Sequence, residues 1–118
     1  MIFYELEQIA VISALYKISA INGQPIIDEL CTIEKLKCKW EMTLHNVIIA
    51  RRIDVETCIK VFSMMSYDKQ LFIAKLFATV PKAGTTGVDL YNLISCHLPT
   101  AAVNPKTRAE VIGYLNEY

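Results

Sequence analysis

From Glu5 to Ile21 the chain contains neither Gly nor Pro, and its apolar residues do not keep to one face. Leu6, Ile9, Ala10, Val11, Ile12, Ala14, Leu15, Ile18 and Ala20 surround almost the whole of a helical cylinder. A helix that is apolar all round is buried on every side, so the remaining elements must be built around it. It stops at Asn22-Gly23, a pair that adopts a left-handed helix terminus cheaply, and Pro25 forbids continuation.

A second helix is predicted from about Ile27 to Cys38. Asp28 and Glu29 lie in its first turn and Lys35, Lys37 and Lys39 toward its last, matching both ends of the helix dipole. Its core stripe is Leu30, Ile33, Leu36 or Lys37, and Trp40. Glu41 to Arg51 offers Met42, Leu44, Val47, Ile48 and Ile49 and is assigned as helix, although the Val-Ile-Ile run also suits a strand. Asp54 is placed to cap a helix running to about Met65 that buries Val55, Ile59, Phe62 and Cys58. Tyr67 to Val80 is nearly as apolar as the first helix, and Pro81 with Ala83-Gly84 closes it. Val88 to Leu98 forms a sixth helix. Asn104-Pro105 starts a seventh, with Val111, Ile112, Tyr114 and Leu115 on its buried face.

These assignments give an all-α, compact single-domain bundle of six or seven short helices spanning residues 1–118. Two apolar helices, Glu5 to Ile21 and Tyr67 to Val80, are its centre. With 118 residues, 53% of them apolar, the chain can bury roughly two-thirds of its unfolded surface without disulfide or metal support. A shift of 61 residues lays Ile12 on Ile73, Leu15 on Leu76, Tyr16 on Phe77 and Asp28 on Asp89, a faint pseudo-two-fold repeat.

Twelve basic and twelve acidic residues cancel, which argues against a broad electrostatic field for nucleic acid or anionic membrane. The charge is mildly uneven: residues 1–34 sum to −4 and residues 35–60 to +3. The longest apolar stretch is broken by Lys17 and is shorter than the roughly 20 residues a bilayer requires, so no transmembrane segment is expected. The start Met-Ile-Phe-Tyr-Glu has no basic signal region, which places the chain in a reducing cytoplasm. Cys31, Cys38, Cys58 and Cys96 show no C-x-x-C clip and read as packing residues with free thiols.

The apolar helix followed by Ile21-Asn22-Gly23-Gln24-Pro25-Ile26-Ile27-Asp28-Glu29-Leu30 resembles the tellurite-resistance protein B-like (TerB-like) family. That family shows an apolar helix, an Asp-Gly pair, and an acidic residue near the seventh position after the Asp. Glu29 has that spacing from Asn22. Lys75 to Leu98 is the counterpart of the family's second unit. The resemblance implies an all-α interaction module associated with stress responses, with acidic loops linked to divalent metal binding. Here Asn22 stands in place of the first Asp and Ala83 in place of the second. The candidate metal ligands are therefore Asn22, Asp28, Glu29 and Asp89, a poor cage for a hard cation unless the two loops converge. The preferred reading of Asp28 and Glu29 is that of first-turn charges favourable to the helix dipole, ahead of metal ligation.

Catalytic signatures are scarce. No Gly-x-Ser-x-Gly, His-Glu-x-x-His or phosphate-loop motif occurs, and the histidines are only His45 and His97. His97 follows Cys96, but adjacent helical residues diverge, so Cys96 reads as a buried small hydrophobe rather than a nucleophile. His45 is compatible with either core or solvent. Gly84-Thr85-Thr86-Gly87 reads as a structural turn before the sixth helix, with anion cradling as the alternative. The functional expectation is a non-enzymatic module that binds another protein, with no cofactor and at most a weak divalent-cation site, homo-oligomerisation being left open. The alternative is a regulatory or nucleic-acid-associated helical protein using the basic 35–52 region; the four thiols leave a small hydrolase or redox protein as a third class.

Overall fold

A computed structural model describes residues 2–21, 24–25, 27–79, 84–102 and 104–116, and describes side chains within these except for 20–31 and 84–87. Seven helices occur among them: α1 (Glu5–Ser19), α2 (Ile27–Lys39), α3 (Leu44–Arg52), α4 (Val55–Ser63), α5 (Tyr67–Thr79), α6 (Gly84–Ser95) and α7 (Pro105–Asn116). A two-residue antiparallel ladder pairs β1 (Ala20–Ile21) with β2 (Gln24–Pro25) in the register Ala20↔Pro25 and Ile21↔Gln24. The all-α, single-domain architecture is thus the one expected.

The run without Gly or Pro folds as the central helix. Every residue from Ile9 to Leu15 on α1 is buried, as are Ile18 and Ser19. Four helices, α2, α3, α4 and α6, pack against α1, while α5 packs against α7. α5 shares the same core: Ile73 and Leu76 are fully buried, and the Phe77 ring meets Phe62 of α4 at 5.9 Å between centroids. The two polar side chains inside α1 are satisfied locally. Ser19 Oγ donates to the Leu15 carbonyl, and Ser13 Oγ accepts from Lys17 Nζ. Lys17 also donates to the Ile53 carbonyl at 2.7 Å, tying α1 to the corner between α3 and α4.

Helix boundaries follow side-chain caps. Thr43 accepts the Asn46 N–H, so α3 starts at Leu44 rather than at Glu41. That start turns Asn46, Val47 and Ala50 inward and leaves Leu44 and Ile48, expected in the core, exposed. Asp54 accepts from both the backbone N–H and the hydroxyl of Thr57 and caps α4. Asn104 accepts the Thr107 N–H, which confirms the predicted start of α7 at Pro105. Here Val111 is buried, Tyr114 and Leu115 are half-buried, and Ile112, expected inside, is exposed.

α6 departs most from its predicted bounds. It opens at Gly84 and ends at Ser95, so Gly84-Thr85-Thr86-Gly87 is its first turn rather than a loop. Cys96 to Leu98 leave the helix through three-residue backbone bonds, His97 N–H to Ile94 and Leu98 N–H to Ser95. The early opening also shifts the repeat: Asp28 is the second residue of α2, whereas Asp89 is the sixth of α6.

α2 ends in a Schellman arrangement. Met42 N–H reaches back to the Lys37 carbonyl and Glu41 N–H to the Cys38 carbonyl. Glu41 occupies the left-handed position at φ 51°, where Gly is the usual residue.

Candidate interaction site

Residues 2–4, ahead of α1, organise a grooved surface among the described residues. Phe3 is buried, whereas its neighbours Ile2 and Tyr4 are 74% and 67% exposed. The Phe3 ring rests on Trp40 at the end of α2 (5.4 Å between centroids), Phe72 of α5 (5.7 Å) and Tyr114 of α7 (6.4 Å). Phe72 and Tyr114 touch one another at 4.5 Å, so the floor beneath Phe3 is continuous. Trp40 Nε1 donates to Tyr114 Oη at 3.0 Å, which satisfies the polar tips of both half-buried rings.

Two grooves flank Phe3. The larger, about 780 Å³, runs between α2 and α7 over Phe3, Trp40 and Tyr114, with Lys35, Cys38 and Glu41 on its rim. The smaller, about 570 Å³, runs between α5 and α7 over Phe72 and Val111, beside the Lys75–Glu110 ion pair. Ile2 lines both. Cations lie on the aromatic faces: Lys39 Nζ is 4.3 Å from the centre of Tyr114, and Lys69 Nζ is 4.2 Å from that of Tyr4. Lys69 also pairs with Glu7 at 2.7 Å, with both side chains largely buried.

Electrostatics around the rim are internally balanced. Burial acts to lower the Lys37 pKa, but the hydrogen bond its ammonium donates to Glu34, with electrostatic contributions from Tyr16 and Glu34, raises it overall, so the ammonium stays charged. Arg51 lies over the Tyr16 ring at 4.7 Å. The basic 35–52 region thus spends several of its charges within the fold.

Of the four residues predicted as metal ligands, only the Asp89 side chain falls among those described. Asn22 lies outside the described residues, and the side chains of Asp28 and Glu29, in the first turn of α2, lie outside them as well. Asp89 is exposed on α6. Among the described residues no group of three or more His, Cys, Asp and Glu side chains could hold a metal ion.

The thiols separate into two kinds. Cys58 is fully buried, as expected of a packing residue, and burial pushes its pKa up despite a hydrogen bond from Ser13 and the charge of Lys17. Such a thiol stays protonated and inert. Cys38 and Cys96 are exposed, which corrects their reading as packing residues. Cys96 is displaced from the core because α6 ends one residue before it, and its Sγ turns back to the Leu93 carbonyl at 3.0 Å. The Cys31 side chain lies outside the described residues. His45 and His97 are both exposed.

Sequence reasoning assigned Trp40 and Tyr114 to core stripes and passed over Phe3. Helical periodicity reports which face turns inward, not whether that face is completely covered. The available signal was the Ile-Phe-Tyr triplet ahead of α1, an apolar segment too short to be an element of its own. No helix among the described residues is long and apolar enough to cross a membrane. No protein-family model, curated protein or solved structure matches this chain.

Proposed function

We propose that this chain is a non-enzymatic, TerB-like helical interaction module, associated with stress responses, that receives another protein on the aromatic surface between α2 and α7. The observation that carries this reading is the half-open floor of Trp40 and Tyr114 beside a groove of about 780 Å³. Rigid aromatic residues in concave surroundings are the usual anchors of protein association, because they bury much area at little cost in side-chain entropy. The charged rim of Lys35 and Glu41 suits the polar border of such a contact.

The chemistry of the other groups agrees with a binding role. Cys58 is held as a thiol in the core, and Cys96 and His97 sit in an exposed turn. The TerB-like assignment draws on the order of apolar α1, short connection and α2 with Asp28 and Glu29 in its first turn. Any divalent-cation site at these residues, with Asn22 and Asp89, is weak. Protein is favoured over nucleic acid as the partner because Lys37, Lys39 and Arg51 are engaged by Glu34, Tyr114 and Tyr16.

Two native thiols give a matched test. A photo-crosslinker is attached in cells to variants in which either Cys38, on the groove rim, or Cys96 is the only labelled thiol. A discrete protein adduct formed from Cys38, absent from Cys96 and lost on Trp40→Ala, is the expected result. Equal adducts from both positions, or none from Cys38, would remove the assignment of this surface.

A further inference from the structure

We propose that the protein received between α2 and α7 is a second copy of this chain, seated about a two-fold axis that passes beside Cys38. This identity rests on the reading of that surface as a docking site and follows from its charges. Four charged side chains line the groove, and two of them are already engaged: Glu34 by Lys37 at 2.7 Å, and Lys39 by the face of Tyr114 at 4.3 Å. The other two are Lys35 and Glu41. Both are exposed, and among the described residues neither side chain has a hydrogen-bond or ion-pair partner.

These two opposite charges are self-complementary. Lys35 precedes Cys38 by three residues and Glu41 follows it by three, so each stands about one helical turn from an exposed thiol, on opposite sides of it along α2. A two-fold axis beside Cys38 lays α2 antiparallel to its copy. Lys35 then stands level with the partner's Glu41, and Glu41 with the partner's Lys35, two identical ion pairs from one surface. A parallel arrangement opposes like charges at both places and is disfavoured. Lys37 and Lys39 leave the helix to either side of Cys38 and are held by Glu34 and Tyr114, so neither opposes the antiparallel pairing. Rim ion pairs set register and orientation more than affinity. Affinity comes from the groove: its Trp40 and Tyr114 floor is only half-buried, and Ile2, 74% exposed beside it, is the apolar side chain each copy offers the other.

Exchange of the two charges tests the symmetry. Sedimentation equilibrium of the full chain over a concentration series is expected to show a reversible dimer. Lys35→Glu and Glu41→Lys each set like charges opposite one another at both symmetry-related places, and each is expected to raise the dissociation constant at least about five-fold. The double variant restores both pairs with their signs exchanged, and its dissociation constant is expected to return to about that of the intact chain. Both positions are exposed, so the fold survives these changes, and the helical spectrum checks that it does. Copper-phenanthroline oxidation of the dimer is expected to join two chains through Cys38 and to fail in Cys38→Ser. A monomer at every concentration, a dimer indifferent to both single substitutions, or a double variant no tighter than either single one overturns the proposal. A chain that stays monomeric yet forms a Cys38 adduct with a different protein removes the second copy alone and leaves the docking surface standing.

Discussion

Trp40 and Tyr114, 74 residues apart, share a hydrogen bond of 3.0 Å from indole Nε1 to phenol Oη that fastens the end of α2 to α7. α7 has only Thr107 and Val111 fully inside, so its hold on the body depends heavily on Tyr114. The ring packs on Phe72 and Phe3 and carries Lys39 above it. Tyr114→Phe keeps the ring contacts and leaves the Trp40 N–H without this acceptor. A loss of about 1 kcal/mol in urea unfolding is expected, the usual net worth of a partly buried hydrogen bond. Unchanged stability would mean that water replaces the phenol freely.

Leu15 and Leu76 are each fully buried, on α1 and α5 respectively. Truncation to Ala removes three side-chain carbons from a site that closes only in part, so each variant is expected to lose about 2–5 kcal/mol. Chemical denaturation measures both. A loss well below this range at either position would show that its surroundings collapse readily onto the gap.

How far these positions were legible depends on what kind of constraint acts on them. Helix order, the caps at Asp54 and Asn104, and the burial of Leu15 and Leu76 follow from local rules of period and capping, and the sequence displays them. The exposure of Leu44 and Ile48 does not follow from such rules, because it depends on Thr43 fixing the start of α3 and on which side α1 lies. Cys96 was misplaced for a similar reason: the end of α6 sets it, and no Gly or Pro marks that end. The aromatic surface was least legible of all. It is assembled from Phe3, Trp40, Phe72 and Tyr114, which lie far apart along the chain; the last three read as ordinary helix core, and Phe3 carried no reading of its own.

Glu41 holds φ at 51° where the Schellman turn after α2 favours Gly. A side chain in the left-handed region costs roughly 1–2 kcal/mol, and Gly avoids that cost while losing some of it to unfolded-state entropy. Glu41→Gly is therefore expected to raise stability by up to about 1 kcal/mol. Thermal unfolding with an unchanged helical spectrum measures it. A lower midpoint would show that the carboxylate contributes more to the fold than the turn strain removes.

Asp54 gives the fold a pH dependence of known sign. Hydrogen bonds from the Thr57 hydroxyl and N–H lower its carboxyl pKa below the ordinary value, with smaller contributions from the charges of Lys17 and Lys60. A depressed carboxyl stabilises the folded state at pH above its unfolded value and loses that contribution as pH falls through the folded one. Glu110, lowered chiefly by its hydrogen bond to Lys75, adds a contribution of the same sign. In acid titrations of stability, Asp54→Asn is expected to flatten the decline while retaining a capping oxygen. An unchanged acid slope would assign the decline to other carboxylates.

The cation question turns on the number of oxygens at the start of α2. Asp28 and Glu29 stand in its first turn, Asn22 precedes them with an amide rather than a carboxylate, and Asp89 is exposed on α6. Together these supply at most three negative charges, whereas calcium takes about six to eight oxygen ligands and magnesium retains waters where the protein offers few. Binding no tighter than roughly millimolar is expected for either ion, the weak end of calcium modules. Calorimetric titration of metal-stripped protein measures it, repeated with Asp28→Ala and Glu29→Ala. Micromolar affinity lost in both variants would show that the site persists despite Asn22 and Ala83. Weak heats unaltered by either substitution would leave both carboxylates as favourable charges at the positive end of the α2 dipole.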